Sequence, residues 1–157
     1  MSEILFRGKR VDNGEWVYGL LWRVGDTYAN IVDKDTEVIY SVLTKTIGQS
    51  TGMTDKNGKK IFEGDIVKLF DVAVGEIVQE CGAFGIGCRQ QIDFDYLASE
   101  IAPVTGHNNT PMFCYNDNFV SLWELYWNYN EENDEISVIE VIGNIHDNPE
   151  LMKGGEK

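Results

Sequence analysis

One stretch constrains the fold more than any other: residues 51–69, which read TGMTDKNGKKIFEGDIVKL. Its first half is turn chemistry. The carboxylate of Asp55 can accept a hydrogen bond from the backbone two residues on, and Asn57-Gly58 is the dipeptide that most readily takes positive φ at both central positions of a hairpin turn. The sequence therefore predicts a tight turn at residues 55–58, entered and left by β-strands.

The second half of the stretch has strand chemistry with one interruption. Apolar and polar residues alternate over residues 61–67, which is the pattern of a β-strand. Gly64 breaks this run between Glu63 and Asp65, and a glycine inside a strand pattern is typical of a bulge or of a close approach of two backbones. We expect the strand to bend at Gly64.

Length and composition predict one folded domain covering residues 1–157. The apolar fraction of 43% excludes a disordered chain, and the three prolines leave no proline-rich linker. The net charge of −13 is unevenly placed, because residues 1–70 carry ten basic and ten acidic residues, whereas residues 71–157 carry three basic and sixteen acidic residues. This acidic half repels phosphate backbones and anionic membranes, so we expect a protein partner and no direct binding of nucleic acid or membrane.

Several classes of site lack their sequence signals. Cys81, Cys88 and Cys114 are odd in number and contain no C-x-x-C pair, which argues against a disulfide framework or a zinc site. No glycine-rich phosphate loop and no nucleophile elbow is present. No stretch resembles a secretory leader or a membrane span, so a cytoplasmic location without a cofactor is the expectation.

The remaining pattern predicts a mainly β protein, arranged as a meander of hairpins. Glycines within the β-prone residues 61–90 are typical of a small SH3-like barrel. Residues 82–118 form an irregular excursion, with a short helix near residues 96–101. Pro149 follows Asn148, a helix-capping residue, which predicts a helical turn, and residues 152–157 are expected to form a disordered tail.

The segment FVSLWELYW, residues 119–127, is the most aromatic part of the chain. Its length and its asparagine-rich flanks favour a strand that pairs back with residues 136–142. Its aromatic side chains either pack in the core or form an exposed interaction strip, because Trp and Tyr are enriched at protein interfaces. The strip comprises Trp123, Tyr126, Trp127 and Tyr129, and it would bind a protein partner or a second copy of the chain.

Residues 51–67 resemble the core motif of the YopX family, proteins carried by phages and prophages of low-GC Gram-positive bacteria. Residues 140–151, EVIGNIHDNPEL, resemble the closing motif of the same family. The matching positions of unproven role are Asp55, Asn57, Gly58, Glu63, Gly64, Asp65, Asn144, His146, Asp147 and Pro149. The resemblance implies one full-length domain of a phage accessory protein, and it implies no assigned activity and no catalytic residues.

Three functional hypotheses follow. The leading one is a non-enzymatic interaction protein whose acidic half speeds association with a basic partner. The second is a metal-dependent or carboxylate-based hydrolase, which requires Glu63 and Asp65 to converge with His146 and Asp147. The third is an acidic DNA mimic that inhibits a host DNA-binding protein.

Overall fold

Antiparallel β-strands dominate the computed structural model, which describes residues 4–70, 73–80, 82–88, 114–116, 119–129 and 135–152. The strands are β1 (Phe6–Lys9), β2 (Trp16–Val24), β3 (Tyr28–Val32), β4 (Ile39–Leu43), β5 (Gly48–Thr54), β6 (Lys60–Phe62), β7 (Asp65–Leu69), β8 (Ala73–Glu80), β9 (Ala83–Gly87), β10 (Cys114–Asn116), β11 (Phe119–Ser121) and β12 (Ile139–Asn144). One α-helix, α1 (Leu122–Tyr129), and two 3-10 helices, Thr44–Thr46 and Pro149–Met152, complete these elements. The mainly β prediction and the predicted helical turn at Pro149 are confirmed.

The chain divides into two compact units, unit 1 (residues 1–52) and unit 2 (residues 53–157). The family motifs fall almost entirely in unit 2. The single-domain organisation that the length suggests stays a prediction.

Unit 1 is an antiparallel sheet with the strand order β4-β3-β2-β1-β5. Its core lies on one face, where Ala29, Ile31 and Val42 are buried. Gly8 lies beneath this cluster, and a Cβ there would sit 2.9 Å from a methyl group of Val42. The sheet therefore packs tightly on its core face.

The opposite face of unit 1, which we call the outer face, keeps large side chains in contact with solvent. The register pairs Leu20 with Val32 and Val32 with Ile39, so these residues share that face. Leu20 and Ile39 are exposed. Apolar side chains occur on both faces of β2, but among the described residues only one of the two faces has a buried core.

Unit 2 contains an antiparallel sheet with the strand order β10-β11-β9-β8-β7-β12. Its core is larger and gathers side chains from five of these strands and from β6, α1 and the segment before β12. The fully buried members are Ile61, Val67, Leu69, Ile77, Ile86, Val120, Leu122, Leu125, Ile136 and Ile139. Gly85 packs against the buried ring of Phe119 on the opposite face of the sheet, because a Cβ at Gly85 would sit 2.1 Å from that ring.

Three local predictions need correction. Neither sheet closes on itself within the described residues, so the SH3-like barrel over residues 61–90 is not confirmed. The predicted strand over residues 119–127 ends after Ser121 and continues as α1, because Leu122 and Leu125 have the three-residue spacing that buries one side of a helix. Consequently β12 does not pair back with that segment but with β7.

Some predictions fall on residues outside the described set. They include most of the excursion over residues 82–118, its short helix near residues 96–101, and the tail from residue 153 onward. Among the helices that the structure describes, none has the length and apolar character needed to cross a membrane.

Candidate functional site

Asp55, the first motif residue, is a buried acceptor for backbone amides. Its side chain is 1% exposed. Oδ1 accepts hydrogen bonds from the amides of Asn57 and Lys59, each at 2.9 Å, and Oδ2 accepts one from the amide of Val141, also at 2.9 Å. Three amide donors compensate the lost hydration of the carboxylate, so Asp55 shapes its own turn and also ties it to β12.

The turn itself exists, but its type differs from the prediction. Gly58 has φ +78°, whereas Asn57 is not among the residues with positive φ. The amide of Gly58 donates to the carbonyl of Asp55 at 2.9 Å, and the amide of Asp55 donates to the carbonyl of Lys59 at 2.8 Å. This is a three-residue hairpin loop with glycine in the left-handed position, and the Asp55 side chain holds it in that form.

Gly64, predicted at a bulge or at a close approach of two backbones, belongs to a turn between β6 and β7, with φ +93°. The predicted change of direction is present. The side chain of Asp65 is 1% exposed and accepts a 2.8 Å hydrogen bond from the amide of Phe62, which closes the turn. Glu63 lies half-buried in this turn.

The second motif forms a turn after β12 that is organised by Asn144. Its Oδ1 accepts hydrogen bonds from the amides of His146 and Asp147, each at 2.9 Å, and its Nδ2 donates to a carboxylate oxygen of Asp147 at 3.1 Å. The amide of Asn144 donates to Oδ1 of Asn148 at 3.3 Å. Pro149, exposed, then begins the 3-10 helix.

The two motifs are adjacent in the fold. Asp65 lies opposite Asn144 in the pairing of β7 with β12, and the amide of Ile145 donates to the carbonyl of Gly64 at 2.9 Å. Gly64 in turn donates its amide to the carbonyl of Ile77 at 2.9 Å. The motif side chains of Asp55, Asp65 and Asn144 thus accept hydrogen bonds from backbone amides, and these bonds stabilise the turns.

This adjacency bears on the hydrolase hypothesis, which required the motifs to converge. The backbones do converge, but within the described chain no group of three or more His, Cys, Asp or Glu side chains is arranged to hold a metal ion. The carboxylate of Asp65 is buried and accepts a hydrogen bond from the main chain, and that of Asp147 is exposed and bonded to Asn144. This geometry favours a structural use of both groups.

An aromatic cluster on α1 is open to solvent, in contrast to the motifs. Trp123 is 51% exposed and Trp127, one helical turn later, is 67% exposed. The ring of Trp123 stacks on Tyr126 at 5.4 Å and meets Trp127 edge-on at 5.7 Å. These three residues form the aromatic cluster, and Tyr129 is the last residue of the same helix.

The helix explains the arrangement of this cluster. Leu122 and Leu125 face the core, so the neighbouring positions Trp123 and Trp127 fall on another side of the helix. Strand geometry would have placed Trp123, Leu125 and Trp127 on one face. The residues of the predicted strip are therefore present, but helical spacing determines which of them meet solvent.

A cleft of about 220 Å³ is lined by residues of the Asp55 turn, of the end of β7 and of the start of β12. Its lining residues are Lys56, Lys68, Phe70, Ser137, Val138 and Glu140. Nζ of Lys56 is 3.6 Å from a carboxylate oxygen of Glu140, and Lys68 lies opposite Glu140 in the strand register. Two ammonium groups beside an aromatic ring are suited to hold a small carboxylate or phosphate. The carboxylate of Glu140 would compete with such an anion for the two ammonium groups.

Sequence reasoning did not find this cleft. Lys68 and Glu140 are seventy-two positions apart, and only the register of β7 with β12 makes them neighbours. Phe70 has φ +54°, a left-handed backbone that is rare for a bulky residue and carries no signature in the sequence. The tight turn of residues 55–59, which places Lys56 beside β12, was the one usable signal.

The chain was compared with curated proteins, with solved structures and with models of protein families. No curated protein matches the sequence. Protein EF1440 from Enterococcus faecalis, known from a crystal structure, is similar over 97% of this chain and 99% of its own, with 22% identity and a TM-score of 0.46. The family model described as YopX protein matches residues 5–153 and so includes both motifs. The chain belongs to the YopX family.

Proposed function

We propose that the chain is a non-enzymatic interaction protein of the bacterial cytoplasm, and that the aromatic cluster on α1 binds a partner protein. The observation that carries this proposal is the exposure of Trp123 and Trp127 on one short helix. Tryptophan and tyrosine are enriched in the contacts that dominate binding energy at interfaces. Rings that contact one another on the free protein also lose little conformational entropy when a partner covers them.

The charge of the chain indicates the kind of partner. Residues 71–157, which include α1, carry sixteen acidic and three basic residues. This field repels nucleic acid and anionic membranes, and it attracts a protein with a basic surface around an apolar recess. The recess would receive Trp127, and the basic rim would lie against the acidic surface.

A second copy of the chain is another occupant of the cluster. Light scattering at two salt concentrations separates the two cases. A stable oligomer that dissociates in the Trp127→Ala variant would assign the cluster to self-association, whereas a monomer leaves it available for a different protein.

Site-directed photo-crosslinking in the bacterial cytoplasm tests the proposal. A photoreactive amino acid at position 127 is expected to form a covalent adduct with one basic protein, and the same amino acid at position 36, in the β3–β4 turn, should not. The purified partner is then titrated against wild-type chain and the Trp127→Ala variant, with a loss of affinity of about thirtyfold or more expected for a central aromatic contact.

Two results would overturn the proposal. One is equal binding of the identified partner by wild-type chain, Trp123→Ala and Trp127→Ala. The other is an association rate that does not fall as salt is raised, because that result removes the acidic half from the recognition. If the partner binds DNA, competition by duplex DNA for the same surface would identify the chain as a DNA mimic.

A further inference from the structure

The outer face of unit 1 has a charge pattern opposite to that of the acidic half. Lys9 of β1 lies opposite Trp16 of β2, and Arg23 of β2 lies opposite Asn30 of β3, which places two cations on the outer face. Arg7 of β1 lies on the same face, but it is buried, with only 5% of its surface exposed. Strands β1 to β5 contain no Asp or Glu. In the described part of unit 1, the acidic residues all lie in turns and connecting loops.

Aromatic rings lie between these cations. Tyr18 is 48% exposed and Tyr28 is 55% exposed. The Lys9 ammonium is 5.6 Å from the ring centre of Trp16, and the Arg23 guanidinium is 5.0 Å from the ring centre of Trp22, the residue at the bulge of β2. Cations and π-faces thus occupy one sheet surface.

This combination matches the chemistry of single-stranded nucleic acid. Unpaired bases stack on exposed aromatic side chains, while lysine and arginine contact the phosphates. Duplex DNA hides its base faces and would gain nothing from Tyr18 or Tyr28. The charge argument against nucleic acid comes from residues 71–157, and it does not extend to a sheet face that carries cations and no carboxylate.

We propose that the outer face of unit 1 binds single-stranded nucleic acid, with Tyr18 and Tyr28 stacking on bases and Lys9 and Arg23 contacting phosphates. Side chains two positions apart on a strand are separated by about 7 Å, so β2 offers successive contacts along an extended strand. The nine residues of β2 span about 30 Å. This site is separate from the aromatic cluster on α1 and does not depend on the function proposed for it.

Fluorescence anisotropy with a labelled oligothymidine of about twelve nucleotides tests the proposal. The full chain is expected to bind it with a Kd in the micromolar range and to bind the matching duplex more weakly. Two phosphate contacts predict that affinity falls about sevenfold when salt rises from 50 to 200 mM. The Tyr18→Ala variant should bind at least about fivefold more weakly, and Arg23→Gln should reduce the salt dependence by about half.

Matched controls separate this site from others. Trp127→Ala removes an exposed aromatic side chain of unit 2, and Lys34→Gln removes a cation of the β3–β4 turn; both should bind the oligonucleotide as wild type does. Circular dichroism of each variant verifies that it is folded.

Each of three results would overturn the proposal. The first is no anisotropy change at low salt with protein at about 100 µM. The second is equal loss for the Tyr18→Ala and Trp127→Ala variants. The third is sedimentation that shows an oligomer of the wild-type chain which Tyr18→Ala dissociates, because that result assigns the outer face to a second copy.

Discussion

Units 1 and 2 are both built on antiparallel sheets, but they use their apolar residues differently. Unit 2 has ten fully buried side chains in its core, whereas the core of unit 1 has three buried residues, and its sheet leaves large side chains such as Tyr18 exposed on the other face. Unit 2 also contains both family motifs. The difference indicates that the motifs belong to the unit with the larger core, and that the residues proposed for recognition lie outside the motifs.

The largest effect is expected from Asp55 in unit 2. Replacing Asp55 by Ala leaves three backbone amides without the acceptor they have in the native protein, including that of Val141 on β12. Hydrogen bonds to charged groups contribute about 1.5–3 kcal/mol each and water replaces them in part, so the unfolding free energy should fall by about 4 kcal/mol. Urea denaturation measures this loss.

The matched control for Asp55 is Asp147, the exposed carboxylate of the second motif. Asp147→Ala removes one side-chain hydrogen bond to Asn144 and should cost less than about 1 kcal/mol. Equal losses for the two variants would contradict the view that burial separates these motif residues. A loss of partner binding without a loss of stability in Asp55→Ala would point to a functional role for that carboxylate.

A pair of core substitutions compares the two units directly. Ile31 and Ile86 are both fully buried, one in each core. Truncation to Ala should cost about 3 kcal/mol in either case, since a cavity forms and apolar contacts are lost. The smaller core of unit 1 gives it a smaller free energy of local unfolding, so the same loss opens it more often. Ile31→Ala should therefore raise amide hydrogen exchange across β1 to β4 while β7 to β9 stay protected.

Equal increases of amide hydrogen exchange in both units of Ile31→Ala would contradict the view that unit 1 opens separately. It would show that the two units unfold as one cooperative body. Ile86→Ala provides the internal reference, because its effect on β7 to β9 sets the size of a direct core loss.

Alkaline pH should affect unit 2 through Cys88. Burial raises the pKa of this thiol from 9.0 to about 11. In the unfolded chain the thiol ionises near pH 9 while the folded protein keeps it neutral, so the unfolding free energy declines as pH rises from 9 to 11. At 1.36 kcal/mol per pKa unit the decline is about 2–3 kcal/mol.

The Cys88→Ala variant supplies the control for this pH effect, because the other titrating groups are the same in both proteins. Thermal unfolding at several pH values should show a steeper alkaline decline for wild type. Parallel curves would mean that the thiol is not held neutral by the core, and rapid alkylation of Cys88 at pH 8 would mean the same.

How much of this could be predicted from the sequence depends on the range of the interaction. The turn at residues 55–58 and the helical turn at Pro149 follow from local chemistry, and both are present. The positive φ expected for Asn57 was wrong. The hydrogen bond from the amide of Val141 to Asp55 joins residues 86 positions apart, and local propensity contains no information on that contact.

The aromatic segment shows a second limit of sequence reasoning. The length of residues 119–127 and their asparagine-rich flanks predicted a strand over all nine residues. From Leu122 onward the chain is helical, because a helix buries both Leu122 and Leu125 in the core of unit 2. In the same way, residues 16–22 have apolar side chains on both faces of β2, but only the three-dimensional packing shows which face has a core.

The smallest effect on stability is expected for Trp127, which makes it the sharpest test of the division between structure and recognition. Trp127→Ala removes a side chain that is 67% exposed, so the unfolding free energy should change by less than about 0.5 kcal/mol, apart from the ring contact with Trp123. Leu125→Ala, two positions away on α1, removes a fully buried side chain and should cost about 3 kcal/mol. A large loss of stability for Trp127→Ala would show that the ring stabilises unit 2, and it would contradict a role of Trp127 in recognition. An unchanged stability combined with weaker partner binding would assign the two sides of one helix to different tasks.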